Sequence, residues 1–556
     1  MKDPYASRIW LKWYDSRVSR KLKYPSISVA GLIGKTIEKY PDRIAVHYMG
    51  KSITFKELDI YSNKFAHFLY KAGLKKGDVV GVNGLSILPF YIAILGVQKA
   101  GCIMTGVSPL LTPSELEYQM SDSGAKLLLT MDLFWGNVKQ IIKKTNVKTV
   151  IMAGLFDFLP NATEIADSTL QEIPEITMVR FTDIMRDMPG DTIKVKIDPD
   201  AICLLQYTGG TTGRSKGAAL TNKNIVHHIV QWSNWTDART AEELMVCPFP
   251  LFHLAGLFNA LLAYAKATTQ VAVPNPRDLD FMIAAIKQYK PSYLAGVPTI
   301  YLELMKKPEF QALDFSGIRF CASAAAPFPA EYIHEFEKIV GEGKVIEVYG
   351  MTETSPLLTG QPPNKTKVGS VGVPITDTDI KIVDPVTKEP VPLGEVGEIV
   401  ARGPQVFTKG YYNKPEETAN ALRDGWIYTG DLAKMDEDGF IFIVDRLKDM
   451  VIVSGFKVFT RELDDVIMEH PDVEMAASIG IPDPKRPGSE LVASAIVLKT
   501  GTEKNDAEKD KLITYLKEKV APYKVPKVIE FMDQLPTSAV GKVLKKDLRT
   551  IMSKTT

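Results

Sequence analysis

The stretch "YTGGTTGRSKG", Tyr207 to Gly217, holds four glycines, three threonines and one lysine. Glycine has a high ordering entropy and fills no volume, so such a loop makes poor core and reads as a cradle for something outside the chain. The nearest general pattern is the P-loop, in which backbone N–H groups converge on phosphates and a lysine supplies charge. A P-loop needs Gly-Lys followed by Ser or Thr at the mouth of a helix. Here Lys216 stands between Ser215 and Gly217, and "AALT" follows. The apolar "AICLLQY" before the loop reads as a buried strand, and the next helix is expected to start near Thr221 as N-cap. The loop is therefore expected between two strands, and the rest of the chain must say which phosphate it holds.

At 556 residues the chain should form at least two packed units. It is 45% hydrophobic and 24% charged, with a formal net charge of +1, so bulk charge gives no argument for a nucleic-acid partner. Cys102, Cys203, Cys247 and Cys321 are widely spaced, with neither metal-ligand nor disulfide patterning, and a reducing, cytoplasmic setting is expected. Leu244 to Ala265 lacks Asp, Glu, Lys and Arg and is long enough to span a bilayer, but Pro248 and Pro250 break it and His253 and Asn259 are polar. A buried strand, a loop and a core helix fit better. Residues 1–25 form a basic aromatic extension: its first 24 residues carry seven Lys/Arg against two Asp, with Trp10 and Trp13 interleaved. The first reading of such a tail is a solvated extension whose tryptophans pack on the domain; the alternative is peripheral contact with the anionic inner membrane face.

From about Ser26 to Lys196, helical patterns such as "FKELDIYSNKFAHFLYKAG" alternate with short apolar strands ("DVVGVNG", "KLLLTM", "VKTVIM"). That alternation predicts a parallel, helix-covered sheet, resumed after the loop by "PSYLAGVP" and "KVIEVYG". From about Val368 glycine-punctuated strands suggest a β subdomain reaching residue 444. After Asp445 come hairpin-like "FIFIVDRLKDMVIVSGFKV", the helix "RELDDVIMEH", two more strands, a helix and a basic tail. The fold class is thus α/β: a large N-terminal domain over 26–444, a hinge at 445–448, and a small, mobile α+β domain over 449–556.

Five islands stand in order: "YTGGTTGRSKG", "CASAAAP" (321–327), "YGMTETS" (349–355), "YTGD" (428–431) and "PTSAVGK" (536–542). With "DRLKDMVIVSGFKV" they closely resemble the adenylate-forming superfamily of acyl-CoA synthetases, nonribosomal adenylation domains and luciferases. The resemblance covers nearly all of the chain after the basic tail. It implies that the glycine loop holds the β- and γ-phosphates of ATP through Thr208, Gly209, Gly210, Thr211, Thr212, Gly213 and Lys216. Ser323, Ala324 and Ala325 match the adenine-binding turn, Tyr349 can stack on the base, and Gly350, Met351 and Thr352 continue the site. Glu353 resembles the magnesium ligand, with Thr208 near the same ion; a hard divalent cation takes oxygen ligands. Asp431 can accept both ribose hydroxyls, Arg446 is expected on the ribose or phosphate, and Lys448 matches the hinge position. Lys542 matches the catalytic lysine, an ammonium that would stabilise charge developing on the α-phosphate.

Amino-acid-activating relatives place an Asp where this chain has His253, which cannot provide a counter-charge while neutral. Nothing resembling a carrier domain follows Lys542, so free coenzyme A is the expected acceptor, with Ser454, Gly455, Phe456 and Lys457 lining the pantetheine tunnel. Acetate-activating relatives fill the acid pocket with a tryptophan where this chain has Gly350, so the pocket floor is expected open. His253, Leu254, Gly256, Leu257, Met351 and Leu357 would line a channel that draws an alkyl chain from water at about 0.8 kcal/mol per CH₂. The expected activity is an ATP-, magnesium- and CoA-dependent ligase of medium- or long-chain fatty acids. An arylcarboxylate ligase is the first alternative and a luciferase-like oxidoreductase the second; oligomeric state stays open.

Overall fold

The computed structural model describes residues 3–160, 173–208, 214–326, 328–362, 365–453, 456–484, 486, 489–538 and 541–552. Two large sheets dominate. In the seven-stranded sheet the order is Thr177–Arg180, Thr149–Ala153, Leu127–Met131, Val79–Asn83, Ile103–Val107, Ile202–Thr208, Lys216–Thr221; the first six are parallel and only the last runs antiparallel to its neighbour. Leu127–Met131 and Val79–Asn83 are buried at every position, as expected of parallel strands covered on both faces. Ile202–Thr208 and Lys216–Thr221 pair antiparallel up to Thr208↔Lys216, so the two strands expected around the glycine loop are neighbours in this sheet. Thr221 then caps the helix Asn222–Trp235 in a reciprocal box with Asn224, where the sequence places the helix start.

The second sheet has nine strands, with Leu244–Val246, Tyr293–Gly296, Phe320–Ser323 and Val345–Gly350 parallel and adjacent. The long apolar stretch divides as expected into the strand Leu244–Val246 and the buried helix Leu254–Lys266. Among the described residues no helix is long and apolar enough to cross a membrane. Leu357–Gly360 and Val373–Pro374 extend this sheet antiparallel. The separate five-stranded sheet therefore starts at Asp379, later than the texture change at Val368, and it runs to Arg446 and carries a short helix, Pro415–Ala421.

The extension packs against this β region. Trp10 is 1% exposed, Trp13 Nε1 donates to Asp438 O at 2.8 Å, Lys12 pairs with Asp438 at 2.7 Å, and Arg8 pairs with Asp379 at 2.7 Å. Trp10 and Trp13 are thus engaged by the domain, the packing reading that the sequence offers for this tail.

Beyond Arg446 lies a three-stranded sheet of Val473–Pro482, Glu490–Leu498 and Val528–Phe531. The last of these strands, and the helix Lys545–Met552 within the expected basic tail, are additions to the sequence reading. Leu548 and Met552, four residues apart and both 0% exposed, pack that helix on Ala477, Ile479 and Ala493, while Leu463, Leu512 and Leu516 cover the opposite face. Alternation along each strand provides the two apolar faces.

Candidate active site

Ligands of open α/β sheets bind outside the carboxyl ends of the strands. Thr208, Gly296, Ser323 and Gly350 each end a parallel strand of the two large sheets, and the candidate residues gather there. The Tyr349 hydroxyl donates to Asp431 Oδ2 at 2.7 Å, and Arg446 Nε lies 3.1 Å from Asp431 Oδ1. Burial and the Asp431 carboxylate hold the Tyr349 phenol far above its ordinary pKa, so it stays a donor. Arg446 is the partner of Asp431 because the last strand of the five-stranded sheet pairs with Trp426–Met435 in the register Asp431↔Arg446.

Glu353 sits on the single turn Thr352–Thr354 and is 3% exposed. Burial raises its carboxyl pKa, opposed by the 2.5 Å hydrogen bond that Tyr411 Oη donates to Oε1 and by the Lys216 charge. Lys216 Nζ lies 4.7 Å from the centre of the Tyr411 ring. Tyr411 therefore stands between the loop lysine and the acid, positioning both. The sequence reading missed it: "KGYYNKP" offers only an aromatic pair after a glycine, and nothing local ties it to the site. Its placement comes from the bridge Ala218↔Tyr411 and from Tyr412 N donating to Gly217 O at 2.8 Å. At the loop's other side, Asp122 accepts from Tyr207 Oη at 2.7 Å and Lys414 Nζ at 2.9 Å, fixing the hairpin base.

Gly209, Gly210, Thr211, Thr212, Gly213, Ser454 and Gly455 lie outside the described residues. Thr208 is placed at the hairpin end, with Oγ1 3.5 Å from Lys216 O. Ser323 is 2% exposed and its hydroxyl has no hydrogen-bond partner among the described residues, which fits a turn that meets a polar ligand; Ala324 and Ala325 follow it, Ala325 at φ +71°. Phe456 is 57% exposed and stacks on Tyr523 at 4.8 Å, a partner the sequence does not announce. Lys448 is exposed on the turn where Arg446 O accepts from Asp449 N and Met450 N, both at 3.0 Å.

Lys542 reaches the same site from the small domain. Burial, and then Arg446, push its ammonium down to about 8, with Asp431 opposing. His253, the N-cap of the helix Leu254–Lys266, is held down to about 4 by burial and by Lys542, so it is neutral near pH 7. The backbone closes around Lys542's neighbour too: a Cβ on Gly541 would lie 2.8 Å from Thr299 Oγ1 of the large domain.

Two pocket assignments need correction. A Cβ on Gly350 would fall 2.0 Å from Pro356 O, because Gly350 pairs with Leu357 across an antiparallel hairpin; the glycine admits backbone and opens no pocket floor. A Cβ on Gly256 would meet Pro250 O at 2.3 Å and Phe249 O at 2.4 Å, so this glycine lets its helix touch the preceding segment. Leu254 and Leu257 are 1% and 0% exposed within the main core, whereas Met351 and Leu357 are partly buried at its edge.

This geometry puts buried Glu353, Lys216, the Asp431–Arg446 pair and Lys542 from the small domain around one mouth. A model of the AMP-binding enzyme family matches residues 34–412, and one of the AMP-binding enzyme C-terminal domain matches 462–542. The chain belongs to the AMP-binding enzyme family. This AMP-binding enzyme is 35% identical over 552 residues to a long-chain-fatty-acid–CoA ligase of Bacillus subtilis (strain 168), covering 97% of each chain. It is 34% identical over 559 residues to a long-chain-fatty-acid–CoA ligase of Escherichia coli O6:H1, covering 98% of each. Among solved structures, ATP-bound MatB from Rhodopseudomonas palustris superposes with a TM-score of 0.83 at 27% identity, over 95% of this chain and 100% of that one.

Proposed function

We propose that the protein joins a long-chain fatty acid to coenzyme A, first forming an acyl-adenylate from ATP with release of pyrophosphate. The observation that carries this reading is the delivery of buried Lys542 by the small domain to the mouth that holds Asp431, Arg446 and His253. An ammonium there attracts the α-phosphate and stabilises charge that grows as the carboxylate attacks. Asp431 and Arg446 orient the nucleotide from the sugar side, and Lys216 with the glycine loop takes the leaving pyrophosphate. Glu353 and Thr208 offer the oxygen donors a magnesium ion requires, and a buried carboxylate that accepts from the neutral Tyr411 phenol fits that role. When bound, magnesium would neutralise charge on the triphosphate.

Neutral His253 gives no counter-charge to a substrate ammonium, which favours an acid without an amino group. The likeness to two long-chain-fatty-acid–CoA ligases over nearly the whole chain supports an alkyl acid. Met351 and Leu357 remain the channel candidates, with Leu254 and Leu257 behind them. The thioester step requires the small domain to turn about Lys448 so that the 454–457 segment meets the pantetheine; the exposed Phe456–Tyr523 stack presents a flat face suited to a nucleotide base.

The test is pyrophosphate release across a panel of acids, with and without coenzyme A. Palmitate and oleate should give release that coenzyme A accelerates, with acyl-CoA as product. Release confined to aryl acids would replace the fatty-acid reading, and oxygen uptake or light would replace the ligase.

A further inference from the structure

We propose that His470, Asp472 and Glu508 form a binding site for a divalent transition metal of the zinc class on the small domain, apart from the reaction site. His470 and Asp472 lie between the helix Thr460–Met468 and the strand Val473–Pro482; Glu508 lies in the first turn of the helix Asp506–Lys519. One ligand atom from each falls within 4.8 Å of the others. Tetrahedral bonds of about 2.1 Å would set ligands about 3.4 Å apart, so the cluster must close by up to about 1.4 Å. The half-exposed Asp472 side chain has that freedom.

Glu508 provides the independent sign of a ligand. It is 4% exposed, and its Oε1 is buried without a hydrogen-bond partner among the described residues. Capping does not explain it, since Asn505 Oδ1 already accepts from Glu508 N at 2.9 Å. A carboxylate oxygen buried without a partner is unfavourable, and a cation would offset that cost. Lys511, 3.0 Å from Oε2 and near Asp472 in charge, is the one ammonium that the metal must outcompete among the described contacts of Glu508. The His470 ring is held edge-on by Tyr515 at 5.0 Å. One imidazole with two carboxylates selects zinc over magnesium or calcium, which take oxygen alone, and leaves a fourth position for water. Bound metal would tie the end of one helix, the head of a sheet strand and the start of a second helix.

The experiment uses the whole chain, stripped with chelator and free of ATP. Zinc is titrated by calorimetry, and cobalt(II) reports tetrahedral geometry through its visible absorption. One zinc per chain is expected, with a rise in Tm. Glu508→Gln and Asp472→Asn should each weaken zinc at least about tenfold and abolish the Tm shift. Glu353→Gln should bind zinc as the parent does. Should Glu508→Gln fail to fold, Asp472→Asn decides alone. Absence of zinc binding by the parent, equal affinity in the folded cluster variants, or loss in Glu353→Gln would overturn the site.

Discussion

Lys542 is placed where burial disfavours the charge that the proposed adenylation would use. With its pKa pushed down to about 8, the free enzyme loses the ammonium as pH rises through 8, so kcat/KM for ATP in adenylation should fall there. Stability moves the other way. Between about 8 and the ordinary value of 10.5 the folded chain gives up a proton that the unfolded chain keeps, so folding is favoured as pH rises through that window. Replacing Lys542 with Met should flatten that rise in Tm while reducing adenylation by about 10²–10³-fold, and an unchanged rate would show the lysine to be a bystander. Tyr411→Phe tests the neighbouring acid. Without the phenol's hydrogen bond, burial raises the Glu353 carboxyl further, and the magnesium needed for half-maximal pyrophosphate release should increase about tenfold, more at pH 6 than at pH 8. An equal magnesium requirement in parent and variant would leave Tyr411 a packing residue. Glu353 is legible as an acid in "YGMTETS", but Tyr411, 58 residues later, reaches it only through tertiary contact.

Elements show why one pocket argument fails and others hold. The strand–loop–strand reading around Tyr207, and the Thr221 cap, rest on local chemistry, namely apolar runs, glycines and a side-chain acceptor at a helix start. Gly350 looks the same whether its missing side chain leaves space for a ligand or for backbone, and only the register of Val345–Gly350 against Leu357–Gly360 decides for backbone. The terminal helix was masked by its lysines, although Leu548 and Met552 have the spacing of one helical face. Gly350→Ala should therefore cost about 1–3 kcal/mol and lower turnover of acetate, octanoate and palmitate alike, since the Cβ must displace Pro356 O. Thermal melts and a chain-length series read this out. A selective gain for acetate at unchanged Tm would restore the open floor.

At the scale of the molecule, the proposed function assigns Lys542 and the 454–457 segment of one small domain to different half-reactions, and on that proposal the domain must be able to leave the arrangement seen here. A covalent tether can forbid the departure. A Cβ built on Gly541 lies 3.9 Å from Thr299 Cβ, close to the Cβ–Cβ separation of about 3.8 Å in disulfides. Thr299→Cys with Gly541→Cys should close under mild oxidation; the left-handed φ of +71° at Gly541 adds strain of about 1–2 kcal/mol, well below what closure requires of a folded domain. The four native cysteines are buried and do not compete. Oxidised enzyme should release about one pyrophosphate per chain from ATP and palmitate, because Lys542 stays in place. It should form almost no thioester from supplied palmitoyl-adenylate and coenzyme A. Reduction should restore the second step, which separates the effect of the tether from that of the two substitutions. Full thioester formation in the oxidised, demonstrably cross-linked enzyme would mean that both half-reactions run in this one arrangement, and that the hinge at Lys448 serves something other than alternation.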